Sequence, residues 1–355
     1  MAVVHEWIAS RAGSEKVFER LAQIFPSADL FALSREPDVP MHVSGRAIRT
    51  TVLDNRLTRQ RRGATLPLMP FAWQLRGPRR SYDVVMTSHH AFASSNRLAT
   101  QTGSHFCYVH SPARYVWSPE LDERGASPWI LPARAVLKKV DRRAATRITD
   151  VAANSATVAE RIGRFWDREA RVIYPPVDTD YFTPASRPGE QSPFLLGFGR
   201  WIPYKRLDLV IRLGADVGLP VVIAGHGPGA RELRELGAAA GVPVTLVERP
   251  SQERVRELYR TALALVFPTE EDFGLVPVEA MACGTPVVAL GRGGAAETVQ
   301  DRLTGALVPS VDMSDLRKGL DVALGAAPAD CRARAEYFSQ ERFDERILDW
   351  VSAKL

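Results

Sequence analysis

Cysteine is scarce in this sequence, with three in 355 residues. Cys107, Cys283 and Cys331 are odd in number and far apart, which excludes a disulfide framework and a zinc set. A reducing cytoplasm is the expected home. Long apolar runs are also missing. No stretch reaches the roughly 18 residues of a membrane-spanning helix, and Glu6 interrupts the first segment too early for a signal peptide. Gly and Pro number 25 each but form no long run, so collagen-like or linker character is excluded. No repeat or low-complexity segment occurs. What is present, 45% hydrophobic and 25% charged residues, is ordinary for a globular chain long enough for two domains.

Acidic residues are short in one half only. Residues 1–175 carry 26 Lys and Arg against 16 Asp and Glu, and residues 176–355 carry 20 against 25. Between Arg46 and Arg80 there are nine Arg, with Asp54 the one acid. A basic half points to an anionic partner: nucleic acid, a membrane surface or a phosphorylated acceptor.

In the second half, continuous apolar runs alternate with helical spacing. Strands are expected at 194–198, 220–224, 244–247, 263–267, 286–290 and 305–308, with helices such as Asp208–Val217 and Glu253–Thr261 between them. Such runs read as a parallel sheet covered on both faces, and right-handed crossovers make it doubly wound. The first half repeats the theme less cleanly, with strands at 2–4, 30–33, 83–87, 105–109 and 151–153 and a helix over 14–25. Tyr174-Pro175-Pro176 opens a stiff connector. The last helix, Ser339–Lys354, has no place in the second sheet. Ligands of such sheets bind at the carboxyl ends of the strands, so two of them facing across a cleft suit a reaction of two substrates.

The most informative run is Thr269–Pro286. Glu271 precedes a helix and Glu279 lies inside it. The amides of Gly274 and Leu275, near the helix N-terminus, are donors for an oxygen-rich ligand. A Glu pair on its own is more often a helix cap and one satisfied acid. The whole run, however, with Phe273-Gly274-Leu275, Glu279-Ala280-Met281-Ala282 and Gly284-Thr285-Pro286-Val287-Val288, resembles the signature of the family 4 retaining glycosyltransferases. The resemblance implies that Glu271 contacts hydroxyls of the donor sugar and that Glu279 binds the nucleotide ribose. Gly199-Arg200-Trp201-Ile202-Pro203-Tyr204-Lys205 is similar to the family's Gly-Arg…Lys run, so Arg200 and Lys205 would hold the donor pyrophosphate. Fixed cations there stabilise the charge of a departing phosphate without a metal.

A third run, Cys107–Trp117, resembles the His-Thr-Pro-x-Arg-Tyr-x-Trp motif of the mannosyltransferase-like branch, with Ser111 for Thr. It implies that His110 reaches toward the donor sugar. His5-Glu6-Trp7 and Ala12-Gly13-Ser14-Glu15-Lys16 also resemble that branch, with Gly13 approaching phosphate or sugar and Ser14 where the family has a second Gly. Val172–Phe182 resembles its interdomain segment. Arg249, after the third strand of the second domain, would lie beside the base. Three other signals are set aside. Asp178-Thr179-Asp180 has the spelling of a metal site but sits in the connector and reads as a turn. Gly291-Arg292-Gly293-Gly294 and Gly225-His226-Gly227-Pro228-Gly229 match neither the dinucleotide fingerprint nor a Walker loop.

The resemblance therefore implies the α/β GT-B architecture: a Rossmann-like domain at 1–175, a connector at 176–193, a nucleotide-sugar domain at 194–337, and a helix at 338–355 packing back on the first domain. The expected function is transfer of a sugar, foremost mannose from GDP-mannose, to an acceptor hydroxyl with retention. No metal or other cofactor is expected. The alternatives are a UDP- or ADP-sugar donor with a soluble acceptor, a non-hydrolysing sugar-nucleotide epimerase, and a non-catalytic sugar-nucleotide binder. Nucleic acid is not expected, because the Arg46–Arg80 stretch lacks interleaved aromatics for stacking. Arg56, Arg59, Arg61, Arg62, Arg76, Arg79 and Arg80 flank Leu66–Trp73. Cations around an apolar, Trp-containing segment suit an anionic membrane surface, and hence a peripheral enzyme acting on a lipid-linked saccharide.

Overall fold

The computed structural model describes residues 1–10, 12–75, 81–118, 133–185 and 194–355. Arg76, Arg79 and Arg80 and the connector's last eight positions lie outside them. The chain divides into two compact units: Met1–Pro176 with Phe343–Leu355, and Val177–Arg342.

Among the described residues of the first unit, seven parallel strands are β1 (Ala2–Ile8), β2 (Asp29–Arg35), β3 (Ile48–Thr50), β4 (Tyr82–His89), β5 (Ala99–Val109), β6 (Asp150–Ala153) and β7 (Arg171–Val172). Their order is β3-β2-β1-β4-β5-β6-β7. The edge strands β3 and β7 have no apolar run, which is why sequence patterning does not reveal them. Helices α1 (Gly13–Ile24), α2 (Arg56–Gln60), α3 (Arg62–Thr65), α4 (Met69–Leu75), α5 (Arg114–Trp117), α6 (Arg134–Ala145) and α7 (Ala156–Trp166) connect the strands. Strand β1 is buried along its whole length. Its alternating side chains feed two cores. Val3 joins Val17, Phe18 and Leu21 of α1, whereas Ala2 and Val4 join Leu66, Met69 and Trp73.

The second unit holds β8 (Leu195–Arg200), β9 (Val221–His226), β10 (Val244–Glu248), β11 (Ala264–Phe267), β12 (Val287–Leu290) and β13 (Gly305–Val308). The order is β10-β9-β8-β11-β12-β13, again all parallel. Its helices are α8 (Leu207–Val217), α9 (Ala230–Ala238), α10 (Gln252–Thr261), α11 (Leu275–Ala282), α12 (Ala295–Thr298), α13 (Met313–Ala323) and α14 (Pro328–Glu336). The apolar faces of α8 and α13 cover one side of this sheet. Ser251 starts α10 by accepting a hydrogen bond from Arg254 N at 3.2 Å, the usual service of a serine N-cap. Helix α11 is apolar nearly all round and is accordingly enclosed.

The final helix, α15 (Gln340–Ser352), sends Phe343, Ile347, Trp350 and Val351 into the first unit's core. Trp350 donates its Nε1 hydrogen to Asp150 at 3.1 Å, and Asp344 pairs with Arg20 at 2.6 Å. At the connector, Asp178 Oδ1 accepts from Tyr181 N at 3.0 Å, so the Asp-x-Asp spelling builds a turn. The Leu66–Trp73 stretch needs a correction. Leu66, Met69, Ala72 and Trp73 are core residues, with Trp73 only 3% exposed. The large apolar side chains that face solvent in it are Leu68 and Phe71, joined upstream by Val52 and Leu57.

Candidate functional site

Each sheet reverses its strand order once, at β1/β4 in the first unit and at β8/β11 in the second. Loops leaving the carboxyl ends diverge at such a point and expose backbone and side chains to a ligand. Polar residues collect at both.

In the second unit, β8 ends at Arg200 and a short 3₁₀ turn, Pro203–Lys205, follows. The turn closes on Arg206 in the left-handed region, φ 49°. That is a costly conformation for a side chain other than glycine, and the Arg206–Asp208 pair at 3.3 Å accompanies it. Lys205 is thereby folded back over the rings of Tyr204 and Phe267, 5.6 Å from each centroid. Its Nζ is ion-paired with Glu271 Oε1. Thr269 ties the two loops together by donating to Tyr204 O at 2.9 Å. Arg200 is exposed, with Nη2 3.4 Å from Tyr204 Oη. The structure thus brings Arg200, Lys205 and Glu271 to one place.

Glu279 is buried on α11 and accepts from the Tyr259 hydroxyl at 3.2 Å. Burial, followed by the charge and hydrogen bond of Glu279, pushes the Tyr259 hydroxyl well above its ordinary value, so it stays a donor. Gly274 caps α11 at φ 81°, and Leu275 is that helix's first residue. The ring of Phe273 is not available to a ligand. It is buried 5.6 Å from Phe338. Arg249 stands exposed at the end of β10, its amide donating to Gly225 O at 2.8 Å.

The two glycine-rich runs take their purpose from these loops. A Cβ on Gly294 would lie 2.1 Å from Phe273 Cα, and one on Gly293 would lie 2.4 Å from Glu271 O. Gly294 N donates to Glu271 O at 2.8 Å. The β12 loop is therefore a close backbone support for the one carrying Glu271. Likewise a Cβ on Gly225 would lie 1.8 Å from Gly199 O, and one on Gly227 would lie 2.5 Å from Trp201 O. Glycine alone permits such approach.

In the first unit, Gly13 opens α1. His110 follows β5, and its amide donates to His89 O at 2.8 Å. Three further histidines surround it, and sequence reasoning assigned none of them a role. His90 stands edge-on to Trp7 at 4.6 Å and lies 6.3 Å from His110. His5 and His89 are completely buried. Burial, reinforced by His110, holds both near 3, so both are neutral at pH 7. Beneath them Glu6 Oε1 accepts from Ala91 N at 3.0 Å and from Ala93 N. Burial drives its carboxyl up to about 7 despite those amides. Beyond the quoted His5-Glu6-Trp7 and His110 runs, the sequence signal for the cluster is Ser88-His89-His90, polar residues closing an apolar strand at its carboxyl end. Trp117, part of the quoted motif, is an anchor. It and Trp166 both donate to buried Asp141 Oδ2 at 2.7 Å.

The chemistry available differs between the two places. Fixed cations beside carboxylates suit phosphate oxygens and vicinal hydroxyls. Neutral imidazoles, each with one donor and one acceptor, suit hydroxyls. Among the described residues no group of three or more His, Cys, Asp or Glu could hold a metal ion, and no helix is long and apolar enough to cross a membrane.

Comparison with known proteins gives a match over residues 179–339 to the family described as Glycosyl transferases group 1. The chain is 38% identical over 188 residues to a D-inositol 3-phosphate glycosyltransferase of Mycolicibacterium smegmatis, covering 48% of this chain and 43% of that protein. The chain spans about half the length of the curated relatives it matches. Anabaena HepE in complex with UDP superposes with a TM-score of 0.75 at 17% identity, over 99% of this chain and 100% of that one. Sucrose-phosphate synthase from Thermosynechococcus elongatus gives 0.76 at 20% identity, over 99% of each. The fold is α/β, two Rossmann-like parallel-sheet halves, shared with glycosyltransferases of the GT-B architecture.

Proposed function

We propose that this chain is a retaining glycosyltransferase that takes a hexose from a nucleotide sugar without a metal ion. The carrying observation is the Arg200–Lys205–Glu271 group at the β8/β11 switch point, inside the matched residues 179–339. When the sugar C1–phosphate bond breaks, its electron pair stays on the phosphate oxygen. Arg200 and Lys205 stabilise that charge. The acceptor oxygen forms the new bond to C1 on the same face, and its proton passes to the departing phosphate. No separate strong base is needed. Glu271 receives hydroxyl donors of the sugar. Glu279, oriented by Tyr259, receives those of the ribose. His110 is the sugar-side group of the first unit.

The donor we propose is GDP-mannose, on the likeness of Cys107–Trp117 to the mannosyltransferase-like branch. A second reading, a UDP-sugar with a phosphorylated acceptor, is favoured by the UDP of the HepE complex and by the inositol phosphate in the relatives' name. Nucleotide release in EDTA, with GDP-mannose, UDP-glucose and ADP-glucose in parallel, decides between them. Product formed only after manganese is restored would falsify metal independence. Hydrolysis or epimerisation with no transfer product would reject the transferase assignment.

The acceptor we propose is a lipid-linked saccharide at an anionic membrane surface. Exposed Leu57, Leu68 and Phe71 share the segment 56–75 with exposed Arg56 and Arg61. Arg59 is not among the cations on offer to lipid, because Asp54 holds it at 2.8 Å and Glu36 at 3.6 Å. Co-sedimentation with anionic vesicles should fade with salt and weaken in an Arg56→Ser, Arg61→Ser double variant, by about 1 kcal/mol per charge. Equal binding to neutral vesicles, or none to either, favours the phosphorylated soluble acceptor.

A further inference from the structure

His110 is linked to a residue that never meets solvent. Ser88, wholly buried on β4, places Oγ 2.8 Å from His110 Nε2 and 3.0 Å from His5 Nδ1. A serine hydroxyl has one hydrogen and two lone pairs; among the described residues Oγ has these two rings as its hydrogen-bond partners and no third, so it gives its hydrogen to one neutral ring and accepts from the other. Whichever ring gives a hydrogen to Oγ, the other receives one. The tautomers of His5 and His110 are therefore coupled across 105 positions of sequence, through a single oxygen.

His5 decides which arrangement holds. Its ring stacks on Phe18 with centroids 5.1 Å apart, and its Nε2 is buried with no hydrogen-bond partner. A hydrogen on Nε2 would be a buried donor with nothing to receive it, and orphaned donors are the rarer and costlier case. The hydrogen belongs on Nδ1, which donates to Ser88 Oγ. The Ser88 hydroxyl then donates to His110 Nε2. Burial, with His110 adding to it, keeps His5 near 3, so no second proton reverses the order at neutral pH.

We propose that His5 and Ser88 are positioning residues that fix His110 in the tautomer with its hydrogen on Nδ1 and with Nε2 engaged as an acceptor. The role of that ring toward a saccharide oxygen rests on the transferase reading above. The tautomer itself does not. It gives His110 one defined donor and no net charge, the state suited to binding a hydroxyl beside a C1 centre that becomes positive as its bond breaks.

Long-range proton–nitrogen spectra of the full chain, labelled with ¹⁵N-histidine, test the relay directly. Wild-type His110 is expected as the Nδ1–H form. Ser88→Ala should lose that preference. Ser88→Thr keeps the hydroxyl and should retain it. His5→Asn, whose amide nitrogen reaches the place of Nδ1, should retain it better than His5→Phe. An Nε2–H form in the wild type, or an unchanged His110 spectrum in Ser88→Ala, overturns the proposal. Turnover of the best nucleotide sugar is read on the same samples, where Ser88→Ala should lower kcat more than it changes KM. The expected tautomers with no transfer from any nucleotide sugar would uphold the relay and defeat the transferase reading. Transfer with an unaltered His110 in Ser88→Ala would do the reverse.

Discussion

The two sheets share a strand order and differ in what stands at the point of reversal. At β8/β11 a lysine is ion-paired with a glutamate and an arginine stands exposed beside them. At β1/β4 two histidines are neutral by burial and a carboxyl is pushed to about 7. Six of the seven histidines fall in the first unit. One frame thus supports opposite electrostatics, because burial depth and loop chemistry set charge and strand topology does not.

The largest effect that would break this comparison lies on the ionic side. Lys205→Ala and Arg200→Ala should each cost turnover about 2.7–4 kcal/mol, the loss typical of one preorganised donor, while nucleoside affinity changes little. Steady-state kinetics beside calorimetric nucleoside binding check this. Near-normal turnover in both variants would remove the phosphate role.

The neutral side is sharpened by Glu6→Gln. A carboxyl whose folded pKa is raised from 4.5 to about 7 contributes stability that is fully present below 4.5 and is lost as pH climbs through 7. Gln, which mimics the protonated acid, should therefore gain on the wild type between pH 5 and pH 8. A shift of this size corresponds to roughly 3 kcal/mol. Melting curves at the two pH values should show the variant's relative stability rising. A gap that stays constant would mean that Glu6 is charged throughout.

These assignments were not equally open to a reader of the sequence. All six strands of the second unit were legible, since each carries an apolar run that Thr245 alone breaks, and Arg200, Lys205, Glu271 and Glu279 could be picked out as a family-like set. The Lys205–Glu271 pairing was not, because 66 positions separate them and only adjacency of β8 and β11 joins their loops. Glu6 was quoted only inside the branch-like run His5-Glu6-Trp7, with no partner assigned, and the parallel pairing of β1 with β4 brings it to His89. Helices α2–α4 were missed for another reason. Their apolar positions are few and interrupted by Arg and Pro, so periodicity never develops.

A smaller effect tests the support of the ionic site. Gly294→Ala puts a methyl group against the Phe273 backbone, which should cost about 1–3 kcal/mol of stability and weaken donor binding through the Glu271 loop. Unchanged melting and affinity would show that the two loops are not in close contact. Least of all should Tyr259→Phe matter. Losing its bond to Glu279 should weaken free nucleotide by about 1 kcal/mol, and an unaltered affinity would separate Glu279 from the ribose.

The path of α15 bears on how the protein is made. Its apolar side chains complete the core of the first unit, yet the 166 residues of Val177–Arg342 are translated before them. At about 5–20 residues per second, the ribosome needs roughly 8–33 seconds to cross that interval. During this time the second unit can fold, while the first waits with the surface meant for Phe343, Ile347 and Trp350 uncovered. Of the two halves, the one begun first is finished last, and it is the nascent N-terminal half that a chaperone would find open.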